Sequence, residues 1–309
     1  MVPMQEVLIS VITCTHNPRQ DYLDKVLTAL KAQTLSLDQW EYLLVDNASN
    51  QLLASKIDLS WHPNARHIRE EQLGLTPARM RGIEEAKTEI LVFVDDDNVL
   101  EPDYIEVASQ IGKNWSILGA WGGQIRGEFE KTPPDWTKPY WKNLGIRELE
   151  QDQWSNLLHQ HETTPCGAGM CVRKIVAQKY AELVRHDPKR LHLDRKGKQL
   201  ISGGDTDLAF TACDIGLGTG VFVALKLTHL IPASRLEEEY LIRLTESLAY
   251  SNRMLDFFRG KTPINNSWLK IKLSEYYQLW FKSHRDMRFY QAKHRGLALA
   301  IQEFSKINA

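Results

Sequence analysis

The 309-residue sequence predicts an α/β fold with a mainly parallel central sheet, and three observations carry that expectation. Apolar, β-branched runs alternate with amphipathic stretches through the first hundred residues, the pattern of a parallel sheet with crossover helices. Two of those runs end on acidic, turn-forming residues, at the strand ends where open parallel sheets collect ligands. The composition is that of an ordinary soluble globular chain: 43% hydrophobic, 25% charged, 38 Lys+Arg against 39 Asp+Glu. It excludes disordered, collagen-like and coiled-coil chains, and the length allows one large or two fused domains.

Val7–Thr13 (VLISVIT) is a continuous β-branched run suited to a strand buried on both faces. Tyr22–Gln33 follows with Leu23, Val26, Leu27 and Leu30 at helical spacing. Tyr42–Val45 reads as the second strand and stops on Asp46-Asn47-Ala48-Ser49, which is turn chemistry. A short strand near His67–Arg69 comes next. Thr76 as N-cap and Pro77 in the first turn then open a helix to about Ala86. Ile90–Val94 (ILVFV) is the fourth strand and ends on three carboxylates. Gly169–Val172 and Gly218–Leu227 read as later strands, and after about Ser234 the chain is expected to be helical.

Between Asn114 and Gln160 lie five tryptophans, Trp115, Trp121, Trp136, Trp141 and Trp154. They fit either loop packing or an aromatic wall for a ring-shaped ligand such as a sugar. Residues 261–309 carry nine Lys/Arg against three acids, so this tail is +6 and the first 260 residues are −7. A basic, aromatic-rich helical tail suits a face packed on an acidic body, or an anionic membrane surface. No nucleic-acid motif accompanies the charge. The four cysteines fit no zinc spacing, no apolar run reaches membrane-spanning length and no secretory signal is visible, so a cytoplasmic location is expected.

Asp95-Asp96-Asp97-Asn98 is the most informative segment. Two carboxylates 6 Å apart repel by roughly 3 kcal/mol at an effective dielectric near 20. Three at one strand end therefore call for a cation or hydrogen-bond donors, and hard oxygen ligands point to Mg²⁺ or Mn²⁺ shared with ligand phosphates. A calcium loop fails because Leu100 stands where its glycine belongs and Val99 offers no oxygen. A haloacid-dehalogenase-type phosphatase would use Asp95 as nucleophile, with Gly204-Asp205 as its later acidic motif, but three candidate strands precede this one. The Gly216-x-Gly218-x-Gly220 run precedes a strand and so does not suit a dinucleotide.

Several motifs agree on a third possibility: SVITCTHNPR at the first strand, VDNAS after the second, GLTPARMRG from Gly74 to Gly82, VDDDN, CGAGMCVRK from Cys166, and GGDTDL from Gly203. In this order the chain resembles family 2 glycosyltransferases of the GT-A fold over about residues 6–235. The resemblance implies a Rossmann-like nucleotide-sugar-binding fold. It would have a nucleotide-binding half (1–100) and an acceptor-binding half (101–235), followed by a C-terminal helical, basic extension at 236–309. It also implies an inverting, metal-dependent glycosyltransferase that moves a sugar from a nucleotide-sugar donor, a UDP-sugar, to a saccharide hydroxyl in surface-polysaccharide or glycan assembly.

By the same resemblance Thr15, His16 and Asn17 hold base and ribose, and Asp46 bonds the uracil imide. Arg79 meets a phosphate at its helix N-terminus. Asp95 serves the ribose or a metal-bound water, Asp96 is the variable middle position, and Asp97 ligates Mn²⁺ or Mg²⁺, with His229 where a histidine completes the metal site. Asp205 is the general base, Asp207 being its alternative, and Gly167-Ala168-Gly169 lets backbone approach the sugar. Gly204 departs from the family's glutamate and Met80 from its asparagine. A lipid-linked acceptor would place the basic tail at the cytoplasmic membrane face. The phosphatase and a non-catalytic nucleotide-sugar-binding protein stay open as alternatives.

Overall fold

The computed structural model describes residues 8–195, 200–261 and 283–307. Strand β1 (Ile9–Thr15) has six of its seven residues buried, and β2 (Trp40–Asn47) all eight, as expected of strands covered on both faces. They run parallel to β3 (Ala65–Glu70) and β4 (Ile90–Phe93) in the order β3-β2-β1-β4. Helix α1 (Gln20–Lys31) buries Tyr22, Leu23, Val26, Leu27 and Leu30, the apolar stripe read from its spacing.

Helix α2 (Leu75–Glu85) starts one residue before Thr76. Its N-cap is Gly74 at φ 145° and ψ 149°, so Thr76 and Pro77 lie inside the first turn rather than Thr76 capping it. The Gly74 N–H is instead taken by Asn47 Oδ1 at 2.8 Å, which ties the helix start to the end of β2.

The rest of the sheet is mixed. Short β5 (Asn98–Leu100), helix α3 (Tyr104–Asn114) and long β6 (Leu118–Phe129) follow the acidic cluster. Then come β7 (Gln153–Ser155), β8 (Cys171–Arg173), α4 (Lys174–His186), α5 (Gly204–Asp214) and β9 (Gly218–Ile231). The order continues β4-β8-β6-β9-β5, with β7 beside β9; β8 is antiparallel to both its neighbours, and β6 and β9 are parallel. Alternate residues of one strand feed opposite faces: Val11 joins Leu23, Val26 and Ile105 in one core cluster, and Ile12 joins Ile83, Val176 and Leu208 in the other.

The tryptophan-rich segment does not form one wall: Trp121 is fully buried in the core, and Trp115 packs edge-on against Phe222 at 5.5 Å. Trp141 lies on Phe129 at 4.9 Å and donates to Thr137 Oγ1. Packing against neighbouring side chains, the blander of the two expectations, accounts for these three, though only Trp121 lies in the core.

The chain divides into two compact units, Met1–Leu191 with Gly204–Ala233, and His192–Gly203 with Ser234–Ala309. The second unit therefore recruits a segment that precedes α5 in sequence, which a linear boundary at 235 does not foresee. Its helices α6 (Glu238–Phe258) and α7 (His284–Ile307) run side by side in the same direction. Phe257 stacks on Phe304 at 3.9 Å, and Gly296 admits the Glu246 carbonyl where any Cβ would collide with it. Arg285 and Arg288 meet Glu238 at 2.8 and 2.6 Å, and Arg295 meets Glu246 at 2.9 Å. Much of the basic charge of α7 is thus spent on acids of α6. The aromatic residues Trp268, Tyr276, Tyr277, Trp280 and Phe281 lie outside the described residues. Among the described residues no helix is long and apolar enough to cross a membrane.

Candidate active site

The carboxyl ends of β1, β2 and β4 converge on one rim of the sheet, since Thr15 pairs with Asp46 and Ile12 with Phe93. Thr15 is buried, and its Oγ1 donates to Asp96 Oδ2, so the middle carboxylate of the cluster is held by the first strand. His16 and Asn17 are exposed beyond it. His16 Nδ1 lies 2.7 Å from the Asn47 carbonyl, while Asn17, at φ 48°, accepts the Asn50 N–H on Oδ1 and donates its own N–H to Ser49 Oγ. The loops after β1 and β2 are therefore laced into one surface.

Asp46 is 4% exposed and accepts the backbone N–H groups of Ser49 and Leu53, each at 3.1 Å, and an Arg69 N–H at 2.9 Å. Burial alone would raise its pKa. The donors from Ser49, Leu53 and Arg69 outweigh burial and hold the carboxyl below its usual range, so it is charged at neutral pH.

The acidic cluster is shaped by Asn98. This buried side chain donates to Asp97 Oδ1 at 3.0 Å, and its backbone N–H closes a turn on the Asp95 carbonyl. The antiparallel pair β5–β9 places His229 opposite Asn98, with Nε2 3.3 Å from Asp97 Oδ2. The residue singled out from LKLTHLIP thus arrives beside the third aspartate across 132 positions of sequence.

The resemblance implies a resident metal. Among the described residues no three His, Cys, Asp or Glu side chains form a closed cage. Asp97 and His229 supply one oxygen and one nitrogen at one point. Two protein donors with the remaining positions open to phosphates and water is how Mg²⁺ and Mn²⁺ are commonly shared with a nucleotide, so these residues fit the group.

On the other side of the cluster lies the Cys166–Met170 loop. Met170 receives the Phe93 N–H on its carbonyl, and Tyr104 Oη donates to the Gly169 carbonyl at 2.6 Å. The Gly167 N–H donates to Asp205 Oδ2 at 2.8 Å, while Asp205 Oδ1 accepts the Thr206 N–H. A Cβ on Gly167 would lie 2.6 Å from Arg79 Nη2 and 3.2 Å from Asp205 Oδ2, so glycine permits a close approach of all three. Arg79 is 4% exposed, with its guanidinium over the Phe93 ring. Burial first, then the negative charge of Asp205 and Asp95, pushes the Cys166 thiol up to about 12. That one thiol is sensitive to both carboxylates puts them around the same loop.

Asp207 has a different fate. It is 0% exposed, and Arg190 Nη1 donates to both its oxygens at 2.6 and 2.7 Å. Arg190 is itself 8% exposed, so this pair anchors the start of α5. Of the two aspartates in GGDTDL, one is locked inward and the other opens on the loop.

Four participants escaped the sequence reading: Asn98, Arg69, Arg190 and Arg147. Asn98 alone had a local signal, its place directly after three aspartates. Arg147 pairs its backbone with Ile125 of β6 and donates to the carbonyls of Thr164 and Glu162, just ahead of Cys166.

Comparison with known proteins follows the same lines. Residues 10–177 match the family model described as glycosyl transferase family 2. The chain is 27% identical to the glycosyltransferase AglE of Haloferax volcanii over 213 residues, 67% of this chain and 62% of AglE. It thus spans less than two thirds of that relative's length. Among solved structures, S. aureus TarS aligns with a TM-score of 0.53 at 15% identity, over 95% of this chain and 54% of TarS. TarS 1-349 in complex with UDP-GlcNAc aligns with a TM-score of 0.51 at 12% identity, over 92% and 79%. At such identities these structures establish a shared fold, the GT-A α/β architecture with C-terminal helices. The family match sets aside the phosphatase alternative for Asp95. With more than half its length inside the family model, this chain belongs to glycosyl transferase family 2.

Proposed function

We propose that the protein is an inverting, metal-dependent glycosyltransferase that moves a sugar from a UDP-sugar to a hydroxyl of a saccharide acceptor in surface-polysaccharide or glycan assembly. The observation that carries this reading is the Cys166–Met170 loop, which reaches the end of β4 through Phe93 and holds Asp205 through the Gly167 N–H. A carboxylate with one oxygen engaged by backbone can still accept a proton at a reacting centre near the acidic cluster.

In this reading Asp46 accepts the imide N–H of uracil. A carboxylate offers about four acceptor positions, and the fold uses three of them. Thr15 fixes Asp96, and His16 and Asn17 line the base and ribose. Asp95 faces the ribose, and Arg79 faces the diphosphate. Asp97 and His229 would hold Mn²⁺ or Mg²⁺, which supplies positive charge against the departing diphosphate. The acceptor oxygen forms its bond to the anomeric carbon on the face opposite the departing group. The bond to the diphosphate breaks with its electron pair, and the hydroxyl proton passes to Asp205. Asp207, fully committed to Arg190, has no part in the proton transfer. The TarS complex with UDP-GlcNAc supports the choice of a UDP-sugar.

Thermal unfolding with UDP and other nucleoside diphosphates, each with Mn²⁺ or EDTA, tests the donor half of this reading on wild type and Asp97→Ala. Ligand at 100 times its dissociation constant stabilises by about 2.7 kcal/mol. The expected shift needs UDP, Mn²⁺ and Asp97 together; no shift with any nucleotide sinks the reading. A lipid-linked acceptor at the cytoplasmic membrane face predicts binding to anionic vesicles at low salt.

A further inference from the structure

Arg147 stands at the reacting end of the sheet in a position the roles above leave unused. Strand β8 partners β6 only at Ala120 and Trp121, and beyond it Arg147 takes over the β6 edge, with Ile125 and Arg147 exchanging N–H···O bonds of 2.8 and 2.9 Å. Two residues earlier Gly145 lies against the His229 ring. The guanidinium donates to Thr164 O at 2.7 Å and to Glu162 O, carbonyls that lead into the loop holding Asp205. The Cys166 thiol is within the electrostatic reach of Arg147, Asp205 and Asp95 alike.

Among the described residues Arg147 makes no ion-pair contact, and the Glu162 carboxylate acts on its charge only at a distance. An arginine carries five N–H donors; two are spent here on neutral carbonyls, and among the described residues no carboxylate forms an ion pair with it. Other sheltered arginines are matched: Arg190 by Asp207, Arg66 by Glu41 and Glu85, Arg69 by Asp46. Arg173 also grips carbonyls, but those of Gly112 and Trp115 close the C-terminal end of α3, where the helix dipole is negative, and its guanidinium covers the Trp121 ring. Arg147 has neither compensation. Burial lowers its pKa from the usual arginine value, with the Cys166 thiol and the Glu162 carboxylate opposing. A half-buried guanidinium without a direct ion pair is costly, and its planar fork is shaped for a carboxylate or phosphate.

We propose that Arg147 is a specificity-determining residue that receives a carboxylate or phosphate group of the acceptor, so that the enzyme acts on an acidic saccharide. The inference rests on the transfer reading above. It places the anion on the acceptor because the nucleotide side is built from β1, β2 and α2, whereas Arg147 belongs to the β6 edge beside the Asp205 loop.

The test uses the full chain with and without UDP and Mn²⁺. Methyl β-D-glucuronide and glucose 6-phosphate are titrated against the neutral methyl β-D-glucoside, and UDP-glucuronate against UDP-glucose, on wild type, Arg147→Gln and Arg147→Lys. The expected result is an acidic acceptor probe bound at least about tenfold more tightly than the neutral one by wild type. Arg147→Gln abolishes that preference while leaving the neutral probe unchanged, and Arg147→Lys keeps part of it. Three results overturn the proposal. One is wild type treating acidic and neutral acceptor probes alike, binding of neither included. Another is Arg147→Gln weakening both equally, as loss of a loop clamp would. The third is a preference confined to the donors. Loss of the UDP-induced thermal shift marks failure of the transfer reading instead, since the acceptor probes are also titrated without UDP.

Discussion

The two halves of the sheet build their share of the site in opposite ways. On the β1–β4 side each polar residue is fixed by neighbours within a few positions or on an adjacent parallel strand: Asp46 by Ser49 and Leu53, Asn17 by Ser49 and Asn50. On the β5–β9 side the key contacts join segments distant in sequence: Gly167 with Asp205, 38 positions on, and Asp97 with His229, 132 positions on. Local anchoring gives a surface, the nucleotide side of the proposed reading, that is complete when its turns form. Long-range anchoring lets loop lengths vary without disturbing that surface, which suits the side that the proposed reading gives to the acceptor.

The largest effect should come from the variant that touches only the second half. Asp205→Asn is expected to lower transfer by about 10²–10⁴-fold, the usual share of a general base, while the UDP-induced thermal shift persists. Full transfer by that variant would falsify the assignment of the base. Its neighbour should behave oppositely. Asp207→Ala removes the bidentate counter-ion of buried Arg190, leaving the Asp187 carboxylate 4.0 Å away, and should cost about 3–5 kcal/mol of stability, read by denaturant unfolding without ligand. A change under about 1 kcal/mol would mean that the pair does not anchor α5.

The boundary between the halves runs between Asp97 and His229. Loss of an outer-shell partner alone costs about 10–100-fold in metal affinity. His229→Ala should therefore weaken Mn²⁺ binding in the presence of UDP by at least about tenfold, followed by the signal of free Mn²⁺ in paramagnetic resonance. Unchanged affinity would leave the metal to Asp97 and the nucleotide. The smallest effect is a pH dependence on the nucleotide side. Because Asp46 has its pKa depressed in the folded protein, it contributes stability above the usual carboxylate value near 3.8. That contribution is lost as pH falls through the lower folded value. Asp46→Asn should lower stability at pH 7 and flatten the acid limb below pH 4. Equal steepness of the two acid limbs would show that Asp46 is not a source of the acid sensitivity.

The same contrast explains what could be read from the residues. Strands β1, β2 and β4 announce themselves because they are buried on both faces and so are continuously apolar. β5 is three residues, too short for any period, β8 reads from the sequence as Gly169–Val172, offset from Cys171–Arg173, and β6 opens on Leu-Gly-Ala-Trp-Gly-Gly, whose glycines hide a strand. The acidic cluster was visible as an electrostatic expense at a strand end. Its partner His229 was visible only through resemblance, because the Asn98–His229 register depends on how β9 bulges near Phe222 and Lys226 before reaching β5. Asp205 and Asp207 are indistinguishable in the string GGDTDL. The difference between them is Arg190, and nothing in the order of residues says which aspartate that arginine meets.

The Cys166 thiol, held protonated by burial and by two nearby carboxylates, has a practical meaning for the life of the protein. Oxidants and alkylating agents attack the thiolate, and a thiol with a pKa near 12 presents almost none of it at neutral pH. The carboxylates that gather at this loop therefore also lower the reactivity of its sulfur toward such reagents.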